Sequence, residues 1–460
     1  MRIKRYITII LSFITLTAAS QNWQSVGGGA DNGILSVYGD TTNNLVYAAG
    51  YFTSVGGIPA NYIAKWDGTT WDSLGSGCKS LNFGWHCFTM YRNRIVVAGQ
   101  TFSFSQKHIA TWDGSQWDSI GSGFAHLGFE GVKTINNELY TFGCFGILNS
   151  INYNGIAKYD TISNSWVSLG FPFSGTSGDP AWIKSLTFYN GKLYAGGQFM
   201  DGTSTATANI ACYDGSTWSI VGQGITGLAD DVFDLEVYQN ELYVAGAFSL
   251  ASGNPGNKIA RWNDTIWNDV GGGVTSAGQI TDLLLYNGKL YAGGSFSSIG
   301  GIPANYIASW NGAYWCGFGN DVYSSGTTSL ASVNGELFVA CNSVWDSMTV
   351  NSIAEWIGGS YVDTCGFTIT SISEYNSATS FVLYPNPTNT KINIEFDLQK
   401  ETNVQLKVMN MLGQSTLFLT QKGVVGTNHI EVQAKELPAG IYIISLQANG
   451  DILSKKFIKQ

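Results

Sequence analysis

The sequence predicts an all-β chain: a seven-bladed β-propeller followed by a small Ig-like β-sandwich. Three observations carry that expectation. An Ile-Ala-x-aromatic motif occurs seven times, beginning at Ile63, Ile109, Ile156, Ile210, Ile259, Ile307 and Ile353. A second series, Trp23, Trp71, Trp117, Trp166, Trp218, Trp267, Trp315 and Tyr361, advances in steps of 46–52 residues. That is the length of a propeller blade with four antiparallel strands. The composition agrees: 12% of residues are charged, 13% are aromatic and 57 of the 460 are glycine. So many rings exclude a disordered chain, and the shortage of charge argues against helical bundles and coiled coils.

The chain opens on Met1-Arg2-Ile3-Lys4-Arg5, an apolar run over residues 6–16 and the small residues Thr17-Ala18-Ala19-Ser20. That order predicts a secretory signal peptide over residues 1–20, cleaved before Gln21. No later apolar run is long enough to span a bilayer, so no transmembrane segment is expected in the mature protein.

Residues 21–365 form the expected propeller. Its clearest unit begins with an apolar strand A over residues 280–286, then the turn Asn287-Gly288, whose residues tolerate the positive φ of a type I′ hairpin. Strand B covers residues 289–296, a Gly-rich loop leads to strand C at 306–310, and the turn Asn311-Gly312 leads to strand D at Trp315. Residues 54–68 and 298–312 match at 12 of 15 positions. The recurring rings are expected to fill the space between blades, and the glycines of strand B to let neighbouring sheets approach near the axis. Eight D-type segments serve seven A strands. We expect residues 23–27 to complete the last blade; the alternative is closure by residues 361–364.

After a Thr/Ser/Asn linker at 366–380, residues 381–460 alternate apolar and polar positions between Pro and Gly, the pattern of a small sandwich. Leu383-Tyr384-Pro385-Asn386-Pro387, Leu437-Pro438-Ala439-Gly440-Ile441-Tyr442 and Lys455-Lys456-Phe457-Ile458-Lys459 follow in that order. This segment resembles the type A C-terminal sorting domain of type IX secretion in Bacteroidota. The resemblance implies outer-membrane export, contact with the secretion machinery and its sortase, removal of the domain, and release or surface attachment. Residues 22–363 resemble kelch-like propellers and the delta-sixty type of bacterial repeat, on Gly293-Gly294-Ser295-Phe296 followed by Ile307-Ala308. That likeness implies architecture and no particular activity.

Charge narrows the partners. Residues 21–380 carry 12 Lys and Arg against 26 Asp and Glu, a net −14, while residues 381–460 are net +2. An acidic body repels phosphate backbones, so no nucleic-acid partner is expected. Catalytic signals are weak. Arg92, Arg94 and Arg261 do not converge as the arginine triad of a sialidase would, and no Gly-x-Ser-x-Gly or phosphate loop occurs. The turn Asp67-Gly68-Thr69-Thr70-Trp71, repeated at Asp113 and Asp214, is structural. No cofactor is expected. The one metal arrangement on offer is His86, His108 and His126 on one face of the second blade, which could hold zinc or copper. Ordinary hydrogen-bonded loop residues are the competing reading. Among seven cysteines, Cys78 and Cys87 are a disulfide candidate, Cys316 or Cys341 can pair with Cys365, and Cys212 is expected free.

The D-to-A and B-to-C loops share one propeller face, and they carry Trp85, Phe104, Phe129, Trp182, Tyr323 and Trp345. Rings among Asn, Asp and Ser suit stacking on sugars or gripping a protein, unless they pack beneath their own loops. The expected protein is thus an exported, cell-surface or secreted binding module for glycan or protein. A polysaccharide-acting enzyme and a structural surface component are the alternatives.

Overall fold

The computed structural model describes residues 23–77, 87–99, 109–121, 128–148, 151–175, 179–201, 208–225, 231–248, 256–318, 322–345, 348–349, 351–358, 381–398, 400–410, 415–435, 437–448 and 451–460. Among them the ordered elements are strands, and no helix is long and apolar enough to cross a membrane. The chain divides into two compact units, Met1–Thr368 and Ile369–Gln460.

Among the described residues the first unit holds seven antiparallel blade sheets, six of four strands and one, blade 7, with Met348–Thr349 added as a fifth. The A strands of blades 1 to 7 are Ile34–Asp40, Phe88–Tyr91, Phe129–Ile135, Trp182–Tyr189, Val232–Tyr238, Ile280–Tyr286 and Val322–Val333. Each A strand neighbours that of the next blade, and blade 7 returns to blade 1, so the ring closes. Trp23–Ser25 pairs with Ile353–Trp356 and completes blade 7 as its outer strand. The N-terminal segment therefore closes the propeller, which removes an open sheet edge. Trp23 is buried there, 4.8 Å from the ring of Trp356 and 6.1 Å from that of Phe318.

The repeat is legible as a set of joints between blades. Five outer-strand indoles bond into the blade before their own. Trp71 Nε1 donates to the Val26 carbonyl at 2.9 Å, Trp117 to Leu74 at 2.8 Å, Trp166 to Ile120 at 3.3 Å, Trp218 to Leu169 at 3.0 Å and Trp315 to Val270 at 2.8 Å. The acceptor always lies three residues past the preceding blade's own tryptophan. At the other end of strand A, the hydroxyls of Tyr189, Tyr238 and Tyr286 donate to Asn240, Gly288 and Gly335 in the next blade's A–B turn, at 3.2, 3.1 and 2.5 Å. A Cβ on Gly293 would sit 2.6 Å from the Thr327 methyl of the following blade, so the glycine is what allows that approach.

The Asn two residues ahead of the Ile-Ala motif, present in five of the seven units, serves the loops. Asn61, Asn154 and Asn351 adopt φ of 38, 45 and 43°. Their amides donate to Ser76, Phe171 and Gly28 carbonyls in D–A loops, at 3.0, 3.0 and 2.9 Å. In the C–D turns, Asp67, Asp113 and Asp214 each accept two backbone N–H bonds within the turn. Those bonds hold the Asp113 carboxyl down at about 2, and those of Asp67 and Asp214 lower still.

The expected Cys78–Cys87 bridge is not formed. Cys87 is a free thiol buried among Tyr47, Phe88 and Ile95 between blades 1 and 2, where burial pushes it up to about 12. Cys78 lies outside the described residues. Cys144, Cys212 and Cys341 are also free, whereas Cys316 is disulfide-bonded to a partner outside the described residues.

The second unit is a two-sheet sandwich. Phe381–Tyr384, Lys391–Leu398 and Gly426–Gln433 form one sheet; Ser415–Gly423, Thr402–Asn410, Gly440–Ala448 and Asp451–Lys459 form the other. Lys391–Leu398 alternates outward and inward, so Ile392, Ile394 and Phe396 meet Leu406, Ile444 and Phe457 in the core. The motif blocks interlock: the Asn386 amide donates to the Lys456 carbonyl at 3.0 Å, and the Ile458 N–H donates back to Asn386 Oδ1 at 2.9 Å.

Candidate functional site

Strand A of each blade starts on the face that carries the D–A and B–C loops. In blades 4 and 5 it starts with a β-bulge, between Ile183 and Ser185 and between Val232 and Asp234. A bulge adds one residue and re-aims the side chains beside it. The inserted residues here are Lys184 and Phe233, and they meet. Lys184 Nζ lies 4.5 Å from the Trp182 ring centroid, 4.4 Å from that of Phe233 and 3.1 Å from Asp231 Oδ2. An ammonium held over two aromatic faces and against a carboxylate is fixed by cation–π attraction and charge together.

The cluster is graded in exposure. Phe233 is buried, the Lys184 and Asp231 side chains are 10% and 18% exposed, and Trp182 stands 39% exposed at the surface. Burial raises the Asp231 carboxyl above its usual value, against the pull of Lys184. Asp231 Oδ1 is buried and accepts no hydrogen bond among the described residues. The arrangement offers a rigid indole face with a cation and an acceptor behind it, a set that suits stacking and hydroxyl recognition.

Beneath this cluster runs a polar seam. Ser36, Ser185, Asp234, Asp282 and Ser329 hold one equivalent place in strand A, each opposite a small residue of strand B: Ala49, Gly196, Ala245, Gly293 and Ala340. Ser185 Oγ donates to Asp234 Oδ1 at 2.8 Å, the Asp234 and Asp282 carboxyls are hydrogen-bonded to one another, and Asp282 bonds Ser329. Backbone N–H groups of the next blade complete it: Leu283 donates to Asp234 Oδ2 at 2.9 Å, Leu330 to Asp282 Oδ2 at 2.6 Å and Val37 to Ser329 Oγ at 3.3 Å.

Of the ring residues expected on this face, Trp182 is the one whose side chain is described. Phe129 opens strand A of blade 3, and Tyr323 and Trp345 lie on the paired A and B strands of blade 7, with Val322 opposite Trp345. Trp85 and Phe104 lie outside the described residues, as do His86, His108 and His126. Phe173, on the same face, is buried and stacks on Phe199 at 5.8 Å. Arg261 pairs with Glu241 at 2.7 Å, away from any arginine cluster. Sequence reasoning passed over Lys184, Phe233 and the seam. The available signal was a lysine inside the apolar stretch Trp182-Ile183-Lys184, and one small or acidic residue at the same place in most A strands.

A family model described as a secretion system C-terminal sorting domain matches residues 382–460, and one described as a β-propeller domain of unknown function (DUF5122) matches residues 287–308. No curated protein matches the chain. Among solved structures it is similar to an endo-arabinase from Bacteroides thetaiotaomicron, at 14% identity and a TM-score of 0.26, over 52% of this chain and 95% of that one. An arabinoxylan arabinofuranohydrolase of glycoside hydrolase family 43 from Bacillus subtilis aligns at 10% identity and 0.26, over 95% and 96%. The dimeric latent PorU from Porphyromonas gingivalis aligns at 11% and 0.17, over 76% and 26%. Likenesses at these scores carry no argument about activity. The chain is a β-propeller protein with a type A C-terminal sorting domain of a secretion system, a domain that implies export to the cell surface and contact with the secretion machinery.

Proposed function

We propose that this protein is a binding module delivered outside the cell, and that its ligand is a glycan that stacks on Trp182. A signal peptide over residues 1–20 starts its export, and the sortase of the pathway removes residues 381–460 to leave the propeller secreted or surface-attached. The observation that carries the reading is the Trp182 ring, exposed at the start of strand A while fixed from behind by Lys184. An exposed indole costs solvation, and a cation wedged against its inner side holds it in one orientation. The unused Asp231 oxygen lies within the same cluster. A hydroxyl-rich ligand with one apolar face matches those groups in kind.

The test is a screen of the full-length protein on immobilised glycans, with and without chelator. Binding that survives chelation supports the reading. Binding lost on chelation moves the site to His86, His108 and His126. Release of sugar fragments would instead make the protein a polysaccharide-acting enzyme, and no binding to any glycan overturns the proposal in favour of a protein partner.

A further inference from the structure

We propose that the joint between blades 5 and 6 is a proton-dependent latch, in which one buried proton is shared by the carboxyls of Asp234 and Asp282. This regulatory device does not depend on what the exposed face binds.

The geometry assigns the proton. Both side chains are buried, at 3% and 7% exposure, and they are hydrogen-bonded to each other. Two carboxylates cannot bond without a proton between them, and two adjacent buried negative charges repel strongly. Asp234 is surrounded by donors. Its Oδ1 accepts from Ser185 Oγ and from the Leu235 N–H, each at 2.8 Å, and its Oδ2 accepts from the Leu283 N–H at 2.9 Å. Asp282 has the Leu330 N–H and Ser329 as partners and faces Asp234 with its remaining valence. Burial first, and then the charge of Asp234, raise the Asp282 carboxyl well above the usual carboxylate range. Asp282 is therefore the donor and Asp234 the acceptor.

Other charged groups lie near the pair. Glu236, two residues along strand A of blade 5, adds negative charge and is itself raised by burial, with Lys133 of blade 3 drawing it back down. Lys184, one residue before Ser185 in blade 4, is committed to Asp231.

Loss of that proton to solvent turns an attraction into a repulsion between two buried charges in adjacent blades. The sign follows from linkage. A carboxyl whose folded-state value is raised adds stability that is complete below its unfolded value, and that stability is lost as pH rises through the folded value. The latch therefore loosens toward alkaline pH. Phe233 precedes Asp234 and Lys184 precedes Ser185, so movement at the seam is passed directly to the cluster that holds Trp182.

The test compares the full-length protein with Asp282→Asn, whose amide still donates to Asp234 and whose carbonyl still accepts from Leu330 but cannot ionise. Melting temperatures are followed from about pH 5 to about pH 9. The variant's advantage over wild type is expected to widen by at least ~2 °C across that range. Infrared difference spectra at neutral pH should show a protonated-carboxyl band in wild type that the variant lacks. If Asp282→Asn does not fold, Asp234→Asn serves in its place, because it too leaves a single ionisable group in the seam. Parallel melting curves, or no protonated carboxyl in the difference spectra, overturn the latch.

Discussion

Trp267 and Trp315 hold the same place in adjacent blades, yet their indoles differ. Trp315 Nε1 donates to Val270 at 2.8 Å, while Trp267 Nε1 is buried and has no hydrogen-bond partner among the described residues. Trp315→Phe should cost ~1–2 kcal/mol, the worth of a buried hydrogen bond whose carbonyl is then orphaned. Trp267→Phe loses ring volume but no bond, and should cost clearly less; urea unfolding of the two variants measures the difference. The C–D turns make a second residue-scale prediction. The Asp113 carboxyl is held at about 2 by backbone donors, so the stability it adds is present above the unfolded value and is lost as pH falls. Asp113→Ala should therefore lose less stability than wild type between about pH 4 and about pH 2 in acid titrations. Both features were legible as residue types in a repeat. What the sequence did not reveal was partner choice. Lys184 and Asp231 are 47 positions apart and meet only because a bulge turns strand A in one blade toward the start of the next.

At the scale of strands, the repeat predicted the A-to-D order, the Asn-Gly turns and the axial glycines. It also predicted closure by the N-terminal segment, and Trp23–Ser25 does pair with Ile353–Trp356. Trp23→Ala should cost ~3–5 kcal/mol, as for other buried large rings, with blade 7 losing protection first in hydrogen exchange. The B–C loops were read as Gly-rich connections. In blades 1 and 6 they contain small hairpins, Ser54–Val55 with Ile58–Pro59 and Ser298–Ile299 with Ile302–Pro303. Pro59 and Pro303 masked those strands, since proline interrupts a ladder unless it sits at an edge. The Cys78–Cys87 expectation rested on one cysteine preceding and the other beginning the same strand A, but the Cys87 side chain belongs to the apolar layer between blades 1 and 2.

For the whole molecule, the period fixed the blade number because each blade needs its neighbour to bury the rings between them. The free state of Cys87, Cys144, Cys212 and Cys341 bears on the covalent frame. With Cys316 bonded, a non-reducing peptide map should link it to Cys365, at the end of the expected propeller, and not to Cys78. The destination was legible from three short motif blocks that interlock in the sandwich; the ligand was not, because a propeller face is set by loops that differ from blade to blade. The central claim is that the face around Trp182 binds a glycan. The measurement that tests it most directly is the affinity of the full-length protein for glycans, with Trp182→Ala and Phe188→Ala beside it. Phe188 is the control, a half-exposed ring at the far end of the same strand. The account predicts a loss of about tenfold or more for Trp182→Ala and no change for Phe188→Ala. Equal affinity in wild type and Trp182→Ala would contradict it.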